Sequence, residues 1–178
     1  LKIAPGDREA LAVRREVRTC IDEAISFTRS LSAELHPPLL RQLGLAPTLR
    51  WLASEIERRE GIRVTFRAGS PVPHPGEATG AFLFRAAQEL SRNAIQHGRA
   101  RRIDLSLRGG ASSVRLRVRD DGVGFDVEPG TSAAPSRGFG LFSLAERAEE
   151  MGGRLEIRSA PGQGTLAVLV VPLEGRQE

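Results

Sequence analysis

The chain has 178 residues, room for one good core and a smaller appendage, and its 40% apolar content is enough to build that core. Lys plus Arg number 26 against 22 Asp plus Glu, a net charge of +4 carried almost wholly by arginine. With no Tyr and one Trp there is little aromatic surface for stacking on single-stranded nucleic acid, and one cysteine, Cys20, excludes an internal disulfide. Read along the sequence, the arginines are scattered through predicted helices and strands rather than clustered, the pattern of a generally arginine-rich surface. No apolar run approaches a membrane span, and no charged-then-apolar leader is present. Direct nucleic-acid contact and a membrane segment are therefore not expected. The lone thiol fits a reducing compartment, so a cytoplasmic location is. The chain opens on Leu1, which reads as a fragment of a longer protein whose anchor or sensor domain would lie upstream.

Asp7 is an N-cap for a long helix in which Ala10, Val13, Val17, Cys20, Ala24, Phe27 and Leu31 follow a 3-4 spacing. Ile21 and Ile25 widen that seam, which favours a helical bundle and implies a partner helix; Cys20 reads as part of the packed face. His36-Pro37-Pro38 ends the helix, a context in which His36 reads as structural or solvent-exposed. Leu39 to Gly44 reads as a connector. Pro47 opens the next helix, with Leu49, Leu52 and Ile56 on its buried face and Gly61 as its stop. Ile62 to Phe66 is a short strand, and Gly69 to Gly76 a proline-rich loop. A helix from about Ala78 to His97 buries Leu83, Ala87, Leu90 and Ala94. Ile103 to Leu107 and Val114 to Val118 alternate as strands about a Gly109-Gly110 turn. Asp126 to Arg137 has no periodicity and is expected to be mobile. Leu141 to Met151 is a helix, and Leu155 to Ile157 and Leu166 to Val171 are strands. Strands and helices do not alternate strictly, which predicts an α+β fold: a two-layer α/β sandwich with a mixed sheet and helices on one face.

Four motifs carry chemistry. Glu89, Asn93 and His97 recur at i, i+4, i+8, a polar stripe beside the buried one. A Glu and an Asn one turn apart can hold Mg2+ and its waters against a phosphate chain, or be a solvated helix face. Asp120-Asp-Gly-Val-Gly124 closes a strand; a carboxylate there can accept from an exocyclic amine such as adenine N6, and a plain turn is the other reading. A calcium loop is a poor alternative, because the third acid and the distant Glu are missing. Gly138-Phe-Gly-Leu141 opens a helix whose free N–H groups can meet phosphates. It fails as a Rossmann fingerprint, since Ser143 stands at the third glycine position and no strand leads in. Gly162-Gln-Gly164-Thr165 delivers a hydroxyl at the start of a strand. No Walker A sequence or eukaryotic-type kinase signature is present.

The order of these motifs, from about Ile62 to Leu173, resembles the ATP-binding domain of sensor histidine kinases, of the gyrase–Hsp90–kinase–MutL (GHKL) superfamily and its Bergerat-type fold. The upstream LSAELHPPLLRQLGLAPTLRWL looks like the dimerisation helix and linker of NarX/DesK-like kinases. The resemblance implies ATP and Mg2+ as cofactors. Asp120 would bind adenine with help from Thr165, and Gly122 and Gly124 would shape the base pocket. Asn93 would ligate Mg2+, with His97 in the same box. Glu89 would be the catalytic acid/base or water-positioning residue, reaching the metal through water. Gly138, Gly140 and Leu141 would end the lid over the phosphates. Residues 1–44 would be the second helix of a dimerisation bundle and its linker, and 45–178 the catalytic domain. The full protein would be a homodimer that phosphorylates a histidine and then an aspartate of a response regulator with a LuxR-type output domain.

Two departures stand out. Gln96 occupies a position where the family often has Lys or Arg, leaving Arg92 or Arg99 to supply the charge. No histidine sits in the subfamily's phosphoacceptor motif, so ATP binding without autophosphorylation is expected of this chain. Two alternatives stay open: another GHKL ATPase or serine kinase, and a degenerate nucleotide-binding module without catalysis.

Overall fold

The structure, a computed structural model, describes residues 38–69, 75–127 and 139–173. The expected helix from Asp7 to about Leu35, with Cys20 and His36, lies outside them, as do most of the Asp126 to Arg137 loop and Gly138. Five strands, β1 (Arg63–Ala68), β2 (Arg102–Gly109), β3 (Ser113–Asp120), β4 (Arg154–Ser159) and β5 (Thr165–Pro172), lie side by side in the order β1-β2-β3-β5-β4. β1 and β2 run parallel, and every other neighbouring pair is antiparallel. The helices are α1 (Pro38–Leu43), α2 (Leu45–Glu60), α3 (Glu77–Gln96) and α4 (Phe139–Glu150). This is the expected α+β sandwich with a mixed sheet. α3 joins the parallel strands, since a parallel pair needs a long crossover.

Strand alternation builds the core. Leu105 on β2, Val118 on β3 and Ala167 on β5 stand opposite one another across the register, as do Leu107, Leu116 and Leu169. All of them are buried beneath the helices, and the period of two puts their chain neighbours on the far side. That far face carries Arg63 and Arg67 on β1, Arg102 and Arg108 on β2, Arg115, Arg117 and Arg119 on β3, and Arg154 and Arg158 on β4, all exposed. The arginines that look scattered along the sequence are in large part gathered on one surface, because every second residue of four strands points the same way.

The expected stripe of α3 holds. Leu83, Ala87, Leu90 and Ala94 are buried, and Leu83 is fully so. Each such leucine contributes about 1.5–3 kcal/mol on burial. α2 ends as expected at Gly61, whose φ of 67° and ψ of 20° close the helix in the left-handed region with its N–H on the Glu57 carbonyl. Leu39 to Gly44 is not a plain connector. Pro38–Leu43 forms its own helical turn-and-a-half, and Leu40 is buried in the core. The first turn of α2 is held by the Thr48 hydroxyl donating to the Gly44 carbonyl at 2.7 Å. Pro47 stands in that turn rather than at its first position. The β2–β3 hairpin turns through Gly110 to Ser112, with Gly110 N–H on the Ser113 carbonyl at 2.7 Å, while Gly109 still pairs with Val114.

Candidate nucleotide site

Asp120 is the last residue of β3, in the same alternation as Val114, Leu116 and Val118, so its carboxylate faces inward under the helices. It is 8% exposed. Oδ1 accepts from Gly122 N–H at 2.8 Å and from Thr165 N–H at 3.2 Å, and no hydrogen bond among the described residues falls on Oδ2. Burial pushes the carboxyl above its ordinary value. The Gly122 and Thr165 N–H groups pull the other way, and neighbouring Asp121 adds to the rise. Asp121 has a different task. Its Oδ1 accepts from the N–H groups of Arg101 and Arg102, at 2.8 Å each, and pins the start of β2.

The two glycine motifs are stitched into one floor. Gly122 lies so close to the Gly98 carbonyl and to Asp120 Oδ1 that a Cβ there would collide with both. Gly124, at φ 62°, and Gly164, at φ 70°, both need the left-handed region; the first abuts the Ala160 carbonyl and the second the Asp120 carbonyl. The space beside Gly122 and Gly124 is thus filled by the protein's own backbone. Val123 donates to the Gly98 carbonyl at 2.8 Å and accepts from Gly162 N–H at 2.6 Å. Ser159, a residue that the sequence motifs do not single out, ties the floor together. Its hydroxyl accepts from Phe125 N–H at 3.0 Å, donates to the Gly164 carbonyl at 2.9 Å and lies 3.2 Å from Thr165 Oγ1. The only sequence signal for it is its place at the end of β4, six residues before Thr165.

The Gly98 carbonyl also joins this floor to the end of α3, where His97 and Gly98 N–H both bond the Asn93 carbonyl at 3.0 Å. One turn back, Asn93 Nδ2 donates to Glu89 Oε1 at 3.2 Å, and Asn93 Oδ1, a hard oxygen that a cation could use, takes no hydrogen bond among the described residues. Glu89 is clasped by Arg92. Nη2 lies 2.7 Å from Oε1 and 2.6 Å from Oε2, with Nε 3.2 Å from Oε2. Gly140, the second residue of α4, packs on the same carboxylate, and any Cβ there would collide with it. The structure therefore brings Glu89, Asn93 and Gly140 together at one end and Asp120, Gly122, Gly124 and Thr165 at the other, with Gly98 between them. His97 is exposed at the end of α3. Leu141 is buried in the core, so its backbone rather than its side chain is left for a ligand. Arg99 is exposed and stands at φ 51° just past α3.

Among the described residues no three His, Cys, Asp or Glu side chains cluster to hold a metal. Mg2+ fits this site only in the manner it commonly adopts with nucleotides, on one protein oxygen plus phosphate and water.

The model of the family described as histidine kinase-, DNA gyrase B- and HSP90-like ATPase matches residues 78–175, a stretch that runs from α3 through β5 and contains every element of this site. The chain belongs to that family. A sensor-like histidine kinase of Chloroflexus aurantiacus, itself uncharacterized, is 33% identical over 170 residues, covering 93% of this chain and 28% of that protein. The oxygen sensor histidine kinase NreB of Staphylococcus carnosus is 29% identical over 176 residues, covering 97% of this chain and 49% of that protein. The histidine kinase domain of a blue-light activated kinase from Erythrobacter litoralis superposes with a TM-score of 0.54 at 25% identity, over 72% of this chain and 61% of that one. The ATP-binding domain of PrrB from Mycobacterium tuberculosis shares the fold, with a TM-score of 0.53 at 23% identity over 73% of this chain and 94% of that one. The chain spans less than half the length of these two sequence relatives. No helix among the described residues is long and apolar enough to cross a membrane.

Proposed function

We propose that this chain is the ATP-binding core of a sensor histidine kinase of the NarX/DesK-like subfamily and that it takes MgATP between Asp120 and Glu89. The observation that carries the reading is the state of Asp120: buried, with one oxygen held by two backbone N–H groups and the other taking no hydrogen bond among the described residues. Such a fixed acceptor reads an exocyclic amine, and Thr165 beside it supports the same base. Asn93 Oδ1 would ligate Mg2+, and Glu89 would reach it through water. The opening turn of α4 at Gly140, preceded by Gly138, offers backbone N–H groups to the phosphates. The metal supplies charge neutralisation at the transferred phosphoryl group.

In transfer, the bond from the γ-phosphorus to its bridging oxygen breaks, a bond to an acceptor histidine nitrogen forms, and ADP leaves. Glu89 would accept the nitrogen's proton or orient the attacking group. For that, Arg92 has to release it. With Gln96 in place of the family's usual cation, Arg92 is the guanidinium already at the site, and it would turn from Glu89 to the incoming phosphates. The acceptor histidine lies outside any motif of this chain, and the next acceptor would be an aspartate of a response regulator with a LuxR-type output domain. The full protein would act as a homodimer, with residues 1–44 as part of its dimerisation bundle and 45–178 as its catalytic domain.

Calorimetry of MgATP binding to the chain and to Asp120→Asn tests the reading. An amide cannot serve the amine as the carboxylate does, and losing a hydrogen bond to a charged group weakens binding roughly tenfold to a hundredfold. The chain itself is expected to bind nucleotide without autophosphorylating. Equal binding by both proteins, or none by either, would remove Asp120 from the role.

A further inference from the structure

The outer face of the sheet holds nine exposed arginines and two acids, Asp104 and Glu156, across strands whose register places them all on one surface. Both acids are engaged locally, Asp104 by Arg102 at 3.0 Å and Glu156 by Arg154 at 2.7 Å. The other seven arginines make no ion pair among the described residues. The face alone carries more positive charge than the whole chain, whose net charge is +4, so the remainder is net acidic. Among the described residues this positive charge lies on the side of the sheet away from the helices that build the nucleotide site.

We propose that this face docks on an anionic phospholipid surface. Three features select that occupant among polyanions. The array is broad: five strands span roughly 20 Å, so the guanidinium groups form a two-dimensional lattice that matches a plane of phosphates rather than a single strand. Among the described residues the face carries no aromatic residue on which a base could stack. Beside its central strand runs β5, whose half-buried Leu166 lies between Arg119 and Arg158 and whose half-buried Val168 lies between Arg117 and Glu156. Arginine stems lie across such an apolar strip while their heads reach outward, the arrangement that suits a headgroup layer. Guanidinium groups also bind phosphate oxygens in pairs, a geometry lysine lacks.

The test is cosedimentation of the 178-residue chain with phosphatidylcholine vesicles, with and without phosphatidylglycerol. Binding is expected only to the anionic vesicles, and it should fall steeply with salt. Replacing Arg115, Arg117 and Arg119 by Gln should lower the partition coefficient about a hundredfold. The thermal melt should stay unchanged, since all three point away from the core. Arg63→Gln with Arg67→Gln on the sheet edge should lower it about tenfold or more, and this pair stands in should the triple variant fail to fold. Arg58→Gln with Arg59→Gln on α2, where both pair with Glu55, should leave binding nearly unchanged. Equal binding to neutral and anionic vesicles would overturn the proposal. So would an equal loss in the α2 variant, or tighter binding to duplex DNA than to vesicles at the same phosphate concentration and salt.

Discussion

The Asp120 carboxylate sits beneath the sheet's own helices with Oδ1 on two backbone N–H groups, and burial raises its pKa despite them. The folded pKa therefore lies above the unfolded one. The native state holds its proton more tightly, so the ionised carboxylate costs stability at neutral pH, and the cost disappears as pH falls through the folded pKa. Asp120→Asn keeps an acceptor for Gly122 and Thr165 and removes the buried charge. The nucleotide-free variant should melt higher than the parent at pH 7, by a margin that shrinks in acid, while it loses ATP affinity. A thermal scan across pH beside calorimetry would check both halves. Gly122→Ala makes the opposite point. Its Cβ meets the Gly98 carbonyl and Asp120 Oδ1, neither of which can move without disturbing the site. A cost of about 1–3 kcal/mol in urea unfolding is expected, with weaker nucleotide binding. Asp120 and Asp121 are indistinguishable as a dipeptide. Their roles separate only because strand alternation turns one inward and leaves the other to cap the start of β2.

α3 works through two faces. Its apolar stripe was legible in the sequence because a period near 3.6 is a local property, and truncating that stripe should be severe. Leu83→Ala at a fully buried position should cost about 2–5 kcal/mol in urea unfolding. The polar stripe was legible as well, since i and i+4 fix Glu89 and Asn93 on one side. The choice between Arg92 and Arg99 was not, because both lie within a turn or two of Asn93. The fold separates them. Arg92 clasps Glu89, whereas Arg99 is exposed past the end of the helix at a positive φ. Arg92→Ala should weaken MgATP binding about tenfold. Arg99→Gly, which keeps the positive φ comfortable, should leave it within about twofold. Titration calorimetry of the two variants checks this, and the reverse order would assign the phosphate cation to Arg99.

At the scale of the molecule, the two halves of the site meet across a sheet order, β3-β5-β4, that places the last strand between two earlier ones. This insertion brings Thr165 onto Asp120, 45 residues away in the chain. Binding at such a seam ties distant segments together, so nucleotide should stabilise the fold as a whole. At a hundred times the dissociation constant the gain is about 2.7 kcal/mol, a rise in Tm of several degrees for a chain of this size. Asp120→Asn should show little of that rise in a thermal shift assay with MgATP.

By itself the sequence determined the element types, the α+β class and the positions of the polar motifs, since these follow from periodicity, glycine placement and the order of short patterns. Only the tertiary structure decided which of two adjacent aspartates is buried and that Ser159 joins both glycine loops. It also turned arginines that look dispersed into one charged face. Each of these depends on which strands are neighbours and which way their side chains point, and sheet pairing joins residues that the chain keeps far apart.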